Sequence, residues 1–321
     1  MPASRPNPVP LRVGIVGAGR TQQGLGPYLA SAFEGAGAIV TAICGSRRDR
    51  AERTAASLAA SLGHPVAAVD SAADLAAGVD VLVVACPEPH HLAGLDAALR
   101  HGVPCLCEKP LVGWREATAG LDRVAAFAER GQLLVENCQW PFVLPALAGF
   151  GPDWQPGARP RHLAIGLSPV GQGLGMVTDS LSHVLSVAAA LAPGDDAEVS
   201  AISQDDGDPA AAANVVRFTW RAGGRDLAVA LHLQRCPAPP RPAWLALDGV
   251  RVDRRIGAGY AQSFVAVDGS EVRVPDPLRL LVREFLDLLQ SHDRDRTTAI
   301  ARTIATRLRC YARIVRHLAG A

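Results

Sequence analysis

Short, fully apolar runs alternate with Ala-rich amphipathic stretches through the first half of the chain. The runs fall at residues 11–16, 39–44, 81–86, 103–107 and 133–135, and helical spacing of apolar positions fills 50–62, 90–101 and 115–130. Strands without a polar face need cover on both sides. This pattern therefore predicts a parallel sheet sandwiched between helices. After Trp140 the pattern changes. Loop signals stand at 151–160, 193–196, 204–209 and 237–242. Between them lie candidate strands at 162–167, 215–220, 227–233 and 244–247, then a hairpin, 263–267 with 271–274, around Asp268-Gly269. Residues 277–289 and 297–318 carry helical periodicity. The expected fold class is α/β: an N-terminal doubly wound Rossmann sheet, then an α+β domain with a large, open, mostly antiparallel sheet. The expected division is a flexible Pro-rich tail at 1–10, a dinucleotide domain at 11–140, and a substrate-binding and oligomerisation domain at 141–321.

Composition narrows the function classes. At 321 residues two domains are the default expectation. With 49% hydrophobic residues and a net charge of +1, the chain shows no basic stripe for nucleic acid and no charge block for a membrane surface. Its apolar runs, such as 81–86, are read as strand-sized and too short to span a bilayer. The N-terminus lacks the apolar stretch of a signal peptide. The seven cysteines are scattered, and only Cys105 and Cys107 are close. No zinc-like spacing occurs, so no metal is expected, and a reducing, cytoplasmic setting is the simplest reading.

The first strand runs into Gly17-Ala18-Gly19-Arg20. Glycines there let the backbone turn tightly against a pyrophosphate that sits on the next helix N-terminus; a merely structural strand-to-helix turn is the alternative. The usual third glycine is replaced by Gln22, Gly24 is the next candidate, and Pro27 suits the first turn of a delayed helix. The second strand ends in Cys44-Gly45-Ser46-Arg47-Arg48, with no carboxylate before Asp49. Serine and arginine there suit a 2′-phosphate, because guanidinium makes bidentate bonds to phosphate oxygens. NADP(H) is therefore the preferred cofactor and NAD(H) the other option, unless Arg47 and Arg48 only begin a solvated helix. Cys86 and Pro87 follow the strand that ends at Ala85. His91 begins a helix, where it either bonds a ribose or caps local structure.

Glu108-Lys109-Pro110 follows the apolar run 103–107, which places Lys109 at the carboxyl edge of the sheet, where ligands of doubly wound folds bind. Pro110 restricts the backbone of Lys109 to extended conformations. Asp179 and His183 are four apart, on one face of a helix. By themselves they suit a local interaction as well as a site.

Taken in order, the Gly turn, Cys86-Pro87 to His91, Glu108-Lys109-Pro110 and Asp179-xxx-His183 resemble the Gfo/Idh/MocA family (glucose–fructose oxidoreductase, inositol dehydrogenase, MocA). The resemblance implies an active site between the two domains and NAD(P)-dependent hydride transfer to or from a sugar, cyclitol or related alcohol or ketone. It also implies sheet-mediated homo-oligomers, here a dimer or tetramer. It carries Gly17, Gly19, Arg20, Cys86, Pro87, His91 and Glu108 over as cofactor positions, beside Ser46, Arg47 and Arg48 read from the end of the second strand, and Lys109, Asp179 and His183 as the catalytic group. Histidine titrates near neutrality and suits acid/base work; Lys109 would polarise the reacting oxygen and share the proton transfer, and Asp179 would orient either the substrate hydroxyl or the imidazole. One departure is Glu136-Asn137-Cys138-Gln139-Trp140, in which Trp140 replaces the arginine of many relatives. Asn137, Gln139 and Trp140 are candidate substrate positions. Trp140 either stacks on a sugar ring or an apolar substrate, in preference to pairing with an anionic one, or packs the domain junction. Arg235, Arg241 and Tyr260 have no fixed direction in the sequence. Other readings are reduction of an imine, a dihydrodiol or a tetrapyrrole, and a dinucleotide sensor without turnover; retention of Lys109, Asp179 and His183 argues against the sensor.

Overall fold

A computed structural model describes residues 9–19, 25–155, 157–205 and 212–320. The first domain contains strands β1 (Arg12–Val16), β2 (Ile39–Cys44), β3 (Ala67–Val69), β4 (Val81–Val84), β5 (Cys105–Cys107) and β6 (Leu134–Glu136). Its helices are α1 (Gly26–Gly35), α2 (Arg48–Leu62), α3 (Ala72–Ala77), α4 (His91–His101) and α5 (Ala117–Glu129). The six strands are parallel, in the order β3-β2-β1-β4-β5-β6. Alternate residues serve opposite layers: Val81, Val83 and Leu106 pack with Leu29 and Phe33 of α1, whereas Leu82, Val84 and Cys105 pack with Leu75, Leu95 and Phe127. This is why each strand reads as continuously apolar.

A short helix, α6 (Leu144–Leu147), leads into the second domain. It comprises β7 (His162–Leu167), α7 (Gly173–Leu191), β8 (Glu198–Asp205), β9 (Ala213–Ala222), β10 (Arg225–Gln234), β11 (Trp244–Leu247), β12 (Val250–Ile256), β13 (Gln262–Ala266), β14 (Glu271–Val274), α8 (Pro277–Ser291) and α9 (Arg294–Ala319). The eight strands run β14-β13-β12-β11-β7-β10-β9-β8; all pairings are antiparallel except β7 with β10. One sheet face packs on α7, with Ile165, Leu231 and Leu245 sharing a core with Met176, Leu181 and Val184.

Three expectations need correction. The division at residue 140 separates the two sheets, but α8 returns to the first domain: Phe285 meets Phe33 edge-to-face at 6.1 Å, and Leu281 and Val282 join the α1 core. An amphipathic helix must cover its apolar stripe, and the open side of the Rossmann sheet supplies the surface. The expected loop at 204–209 begins inside β8; residues 206–211 lie outside the described residues, as do residues 1–8 of the expected tail. Finally, α7 is long and apolar enough to cross a membrane by length and composition, which the reading of strand-sized apolar runs overlooked. It is a core helix here, its apolar side chains buried between the large sheet and α9.

Candidate active site

The cofactor end is built around three tight approaches. Gly17 has φ +83°, donates its N–H to Cys44 O at 2.8 Å, and lies so close to the next loop that an added Cβ would fall 2.5 Å from Cys86 Cα. Cys86 and Pro87 thereby form one wall of the turn. The helix start is delayed, with Pro27 in its first turn, and Gly26 makes the close approach to the strand: a Cβ there would lie 2.4 Å from Ala18 Cα. An added Cβ at Gly19 would meet only the Thr54 hydroxyl end. Arg20, Gln22 and Gly24 lie outside the described residues.

At the end of β2, Ser46 and Arg47 are exposed in the turn into α2. Arg47 forks onto Asp49 at 3.1 and 3.0 Å, and Arg48 bonds Glu52 at 2.7 Å and Asp70 at 2.6 Å. All are solvent-exposed pairs, screened by water and easily exchanged.

His91 is buried, with Nε2 2.9 Å from Cys86 O and Nδ1 3.0 Å from Pro110 O. Both ring nitrogens are engaged by backbone carbonyls, so the imidazole ties the Cys86 loop to the loop after Lys109. Glu108 extends the ladder of β5 by donating its N–H to Val84 O at 2.8 Å, and its carboxylate accepts from Asn137 Nδ2. Asn137 Oδ1 in turn accepts from Gln139 Nε2 at 3.2 Å.

Lys109 stands just past this sheet edge and reaches across the domain junction to α7. Its Nζ donates to the Asp179 carbonyl at 2.7 Å and to Asp179 Oδ1 at 3.0 Å. His183 lies one helical turn further on, with its Nδ1 buried and without a hydrogen-bond partner. Burial, then the nearby Lys109 charge, pushes its pKa down to about 3, so the ring is neutral at ordinary pH. Trp140 is buried and packs edge-to-face on His183 at 6.5 Å and on Phe264 at 6.2 Å, while one edge lines the cleft. It packs the domain junction and also reaches the cleft wall. The cleft has a volume of about 500 Å³ and is lined from the first domain by Cys86, Pro87, Glu108 and Lys109, and from the second by Asp179, His183, Arg241, Arg254 and Tyr260. Arg235 instead bonds Val170 O at 3.1 Å. Among the described residues, no group of three or more His, Cys, Asp or Glu could hold a metal.

Comparison with known proteins fits this arrangement. Residues 11–137 match the family model GFO_IDH_MocA, an oxidoreductase family with an NAD-binding Rossmann fold. A curated relative, inositol 2-dehydrogenase of Streptomyces avermitilis, is 37% identical over 102 residues; the match covers 31% of this chain and 28% of that protein. The two-domain fold recurs in solved structures. UDP-N-acetylglucosamine 3-dehydrogenase from Acidithiobacillus ferrooxidans has a TM-score of 0.65 at 22% identity, over 97% of this chain and 100% of that one. A 3-ketoreductase from Actinomadura kijaniata, solved with NADP, has a TM-score of 0.64 at 22% identity, over 92% and 95%. An oxidoreductase from Agrobacterium radiobacter, solved with NAD+ and L-tartaric acid, has a TM-score of 0.62 at 15% identity, over 93% and 94%.

Sequence reasoning missed three features of the site. Gly26 was masked by the expectation of a glycine at 22 or 24; its signal is Gly-Pro at the helix start. Glu136 is buried and accepts from Leu111 N at 3.0 Å while pairing with Arg307 of α9 at 2.9 Å, which fixes the loop carrying Lys109. Nothing local in the sequence connects those two residues. Arg254 lies on the inner face of β12, in a period-two pattern with Val252 and Ile256 that its charge obscures.

Proposed function

We propose that the protein is an NAD(P)-dependent dehydrogenase or reductase that transfers hydride between nicotinamide C4 and a carbinol or ketone carbon of a sugar, cyclitol or related compound. The observation that carries this reading is Lys109 bonded to Asp179, one turn from a neutral His183, in a cleft whose other wall is the glycine turn. The residues fit a dinucleotide: Gly17, at φ +83°, packs against Cys86 and Gly26 packs against Ala18, which holds a tight glycine turn between β1 and the N-terminus of α1, the setting that receives a pyrophosphate. A bound dinucleotide supplies the hydride acceptor or donor.

The side chains then handle the proton. A lysine ammonium has three donors. Two are spent on Asp179, which aims the third at the reacting oxygen. His183, held neutral by burial, accepts the hydroxyl proton in the oxidative direction and returns it in reduction. NADP(H) is the preferred cofactor in this reading, with Ser46, Arg47 and Arg48 receiving the 2′-phosphate once Arg47 gives up Asp49. NAD(H) is the alternative. The relatives act on inositol and on a nucleotide-linked amino sugar, by name, and a sugar-like substrate follows by that likeness. A homodimer or homotetramer and a cytoplasmic location are part of the same reading, and light scattering on the purified chain tests the first. Absorbance at 340 nm tests the activity, with NADP⁺ and NAD⁺ against sugars and cyclitols and NADPH against their ketones. Turnover that depends on Lys109 supports the reading. Cofactor binding without turnover across carbonyl and imine acceptors alike would overturn it.

A further inference from the structure

Two arginines line the substrate side of the cleft, and neither has a carboxylate partner among the described residues. Arg254 rises from the inner face of β12 with its Cζ 5.5 Å from the centre of the Trp140 ring. Its Nη2 reaches the Arg241 carbonyl at 3.5 Å. The Nε atoms of Arg254 and Arg241 are both buried without a hydrogen-bond partner. Guanidinium groups present several donors in a fixed fork that matches an oxyanion, and buried donors left unmet cost about 1–3 kcal/mol each. Asp179, the acid that lines the cleft from the second domain, is already engaged by Lys109. The arrangement inverts the expectation attached to Trp140: the aromatic ring replaces one arginine and carries another on its face.

We infer that the substrate bears an anionic group, a carboxylate or a phosphate, held by Arg254 with Arg241 beside it, while its carbinol or ketone carbon faces Lys109 and His183. This deepens the oxidoreductase reading and rests on it for the position of the reacting carbon. Trp140 supplies a flat surface for the ring between the two ends. Arg254 is a specificity-determining residue here, distinct from the group that moves the proton.

The test is ligand binding to the full chain with saturating NADPH, read by tryptophan fluorescence, since Trp140 adjoins the site. The probes are glucose and myo-inositol as neutral ligands, glucuronate for a carboxylate, glucose 6-phosphate for a phosphate monoester, and UDP-glucose for a diphosphate. At least one anionic probe binds ten or more times tighter than glucose, and which one identifies the source of the oxyanion. Arg254→Gln weakens that probe about 10- to 100-fold, the cost of one charge-assisted bond. Arg254→Lys restores part of the affinity, and neutral probes change little. Arg241→Gln, a gentler change on a loop, weakens the same probe and keeps the proposal testable if Arg254→Gln does not fold. Equal affinity for glucose and every anionic probe would overturn the inference. So would an Arg254→Gln loss that falls on NADPH instead, because the arginine would then serve the cofactor. Anion discrimination without any change at 340 nm would leave this inference standing and count against the oxidoreductase reading alone.

Discussion

Replacing Lys109 by Met keeps the length and apolar stem of the side chain and removes three donors and a charge. In the structure two of those donors fall on Asp179, at 2.7 and 3.0 Å. The pair contributes little to folding, because the Asp179 side chain is 51% exposed and can rehydrate; exposed pairs are worth about 0–1 kcal/mol. The loss in catalysis is much larger. A preorganised donor to a reacting oxygen, together with its share of proton transfer, is worth about 10²–10⁴ in turnover. Lys109→Met should therefore lower kcat by that factor while the melting temperature and the affinity for NADPH remain close to wild type. A second effect follows from the charge. Burial comes first among the causes that depress the pKa of His183, and Lys109 comes next. Without the ammonium the imidazole protonates at a higher pH, so residual oxidation is lost on the acid side at a higher pH than in the wild type. Stopped-flow and steady-state absorbance at 340 nm from pH 3 to 9, started from NADP⁺ in the oxidative direction, reads both. A kcat within threefold of wild type, or a loss that appears equally in cofactor binding, would refute the assignment.

Three further outcomes follow from the same geometry. Arg47→Ala should raise KM for NADPH well above its effect on NADH; equal effects would remove the 2′-phosphate from the Ser46–Arg48 turn. His183→Gln should flatten the acid limb of stability. In the wild type the folded ring resists protonation, so between the unfolded pKa of about 6.5 and the folded value of about 3 the unfolded state binds more protons, and stability falls as pH falls through that window. Urea unfolding at pH 4, 5 and 7 checks this, and an unchanged slope would mean the ring is not buried as described. Arg307→Met should destabilise the chain by about 3–5 kcal/mol, since it strands the buried Glu136 carboxylate, with Glu136→Gln in the same background recovering part of the loss; urea midpoints that stay at the wild-type value would remove the pair from the folded core.

Residues that face two layers at once were the most legible. Val81 to Val84 and the neighbouring strands are apolar on both faces, and no other arrangement would hide them. Sheet edges were the least legible. β3 is only Ala67-Ala68-Val69, too weakly apolar to stand out, and α3 is brief, although Ser71 accepts from Asp74 N at 3.1 Å as a clear cap. β8 is an edge strand with mostly solvated side chains and β12 reads Val-Arg-Val-Asp-Arg-Arg-Ile, so neither shows the alternation that marks a half-buried strand. The site divides along the same line. Lys109, Asp179 and His183 announce themselves because a strand end and a helical repeat each fix a direction from nearby residues alone.

Arg254 was hidden because its direction depends on register. It stands opposite Phe264 in the pairing of β12 with β13, and a slip of one residue would turn it to the open face of the sheet and leave Asp253 or Arg255 inside. The register is held by the buried Val252 and Phe264 and by the short connection between the strands, where Gly257 N–H donates to Ala261 O at 2.7 Å. The charge that tunes the substrate end of the cleft is thus set by hydrophobic packing several residues away. Changes that preserve the core of this sheet but shift its register would alter substrate charge preference without touching Lys109 or His183. The proposed catalytic group and the proposed specificity wall are therefore separable: one is written in local motifs of the first domain and α7, the other in the pairing of a sheet.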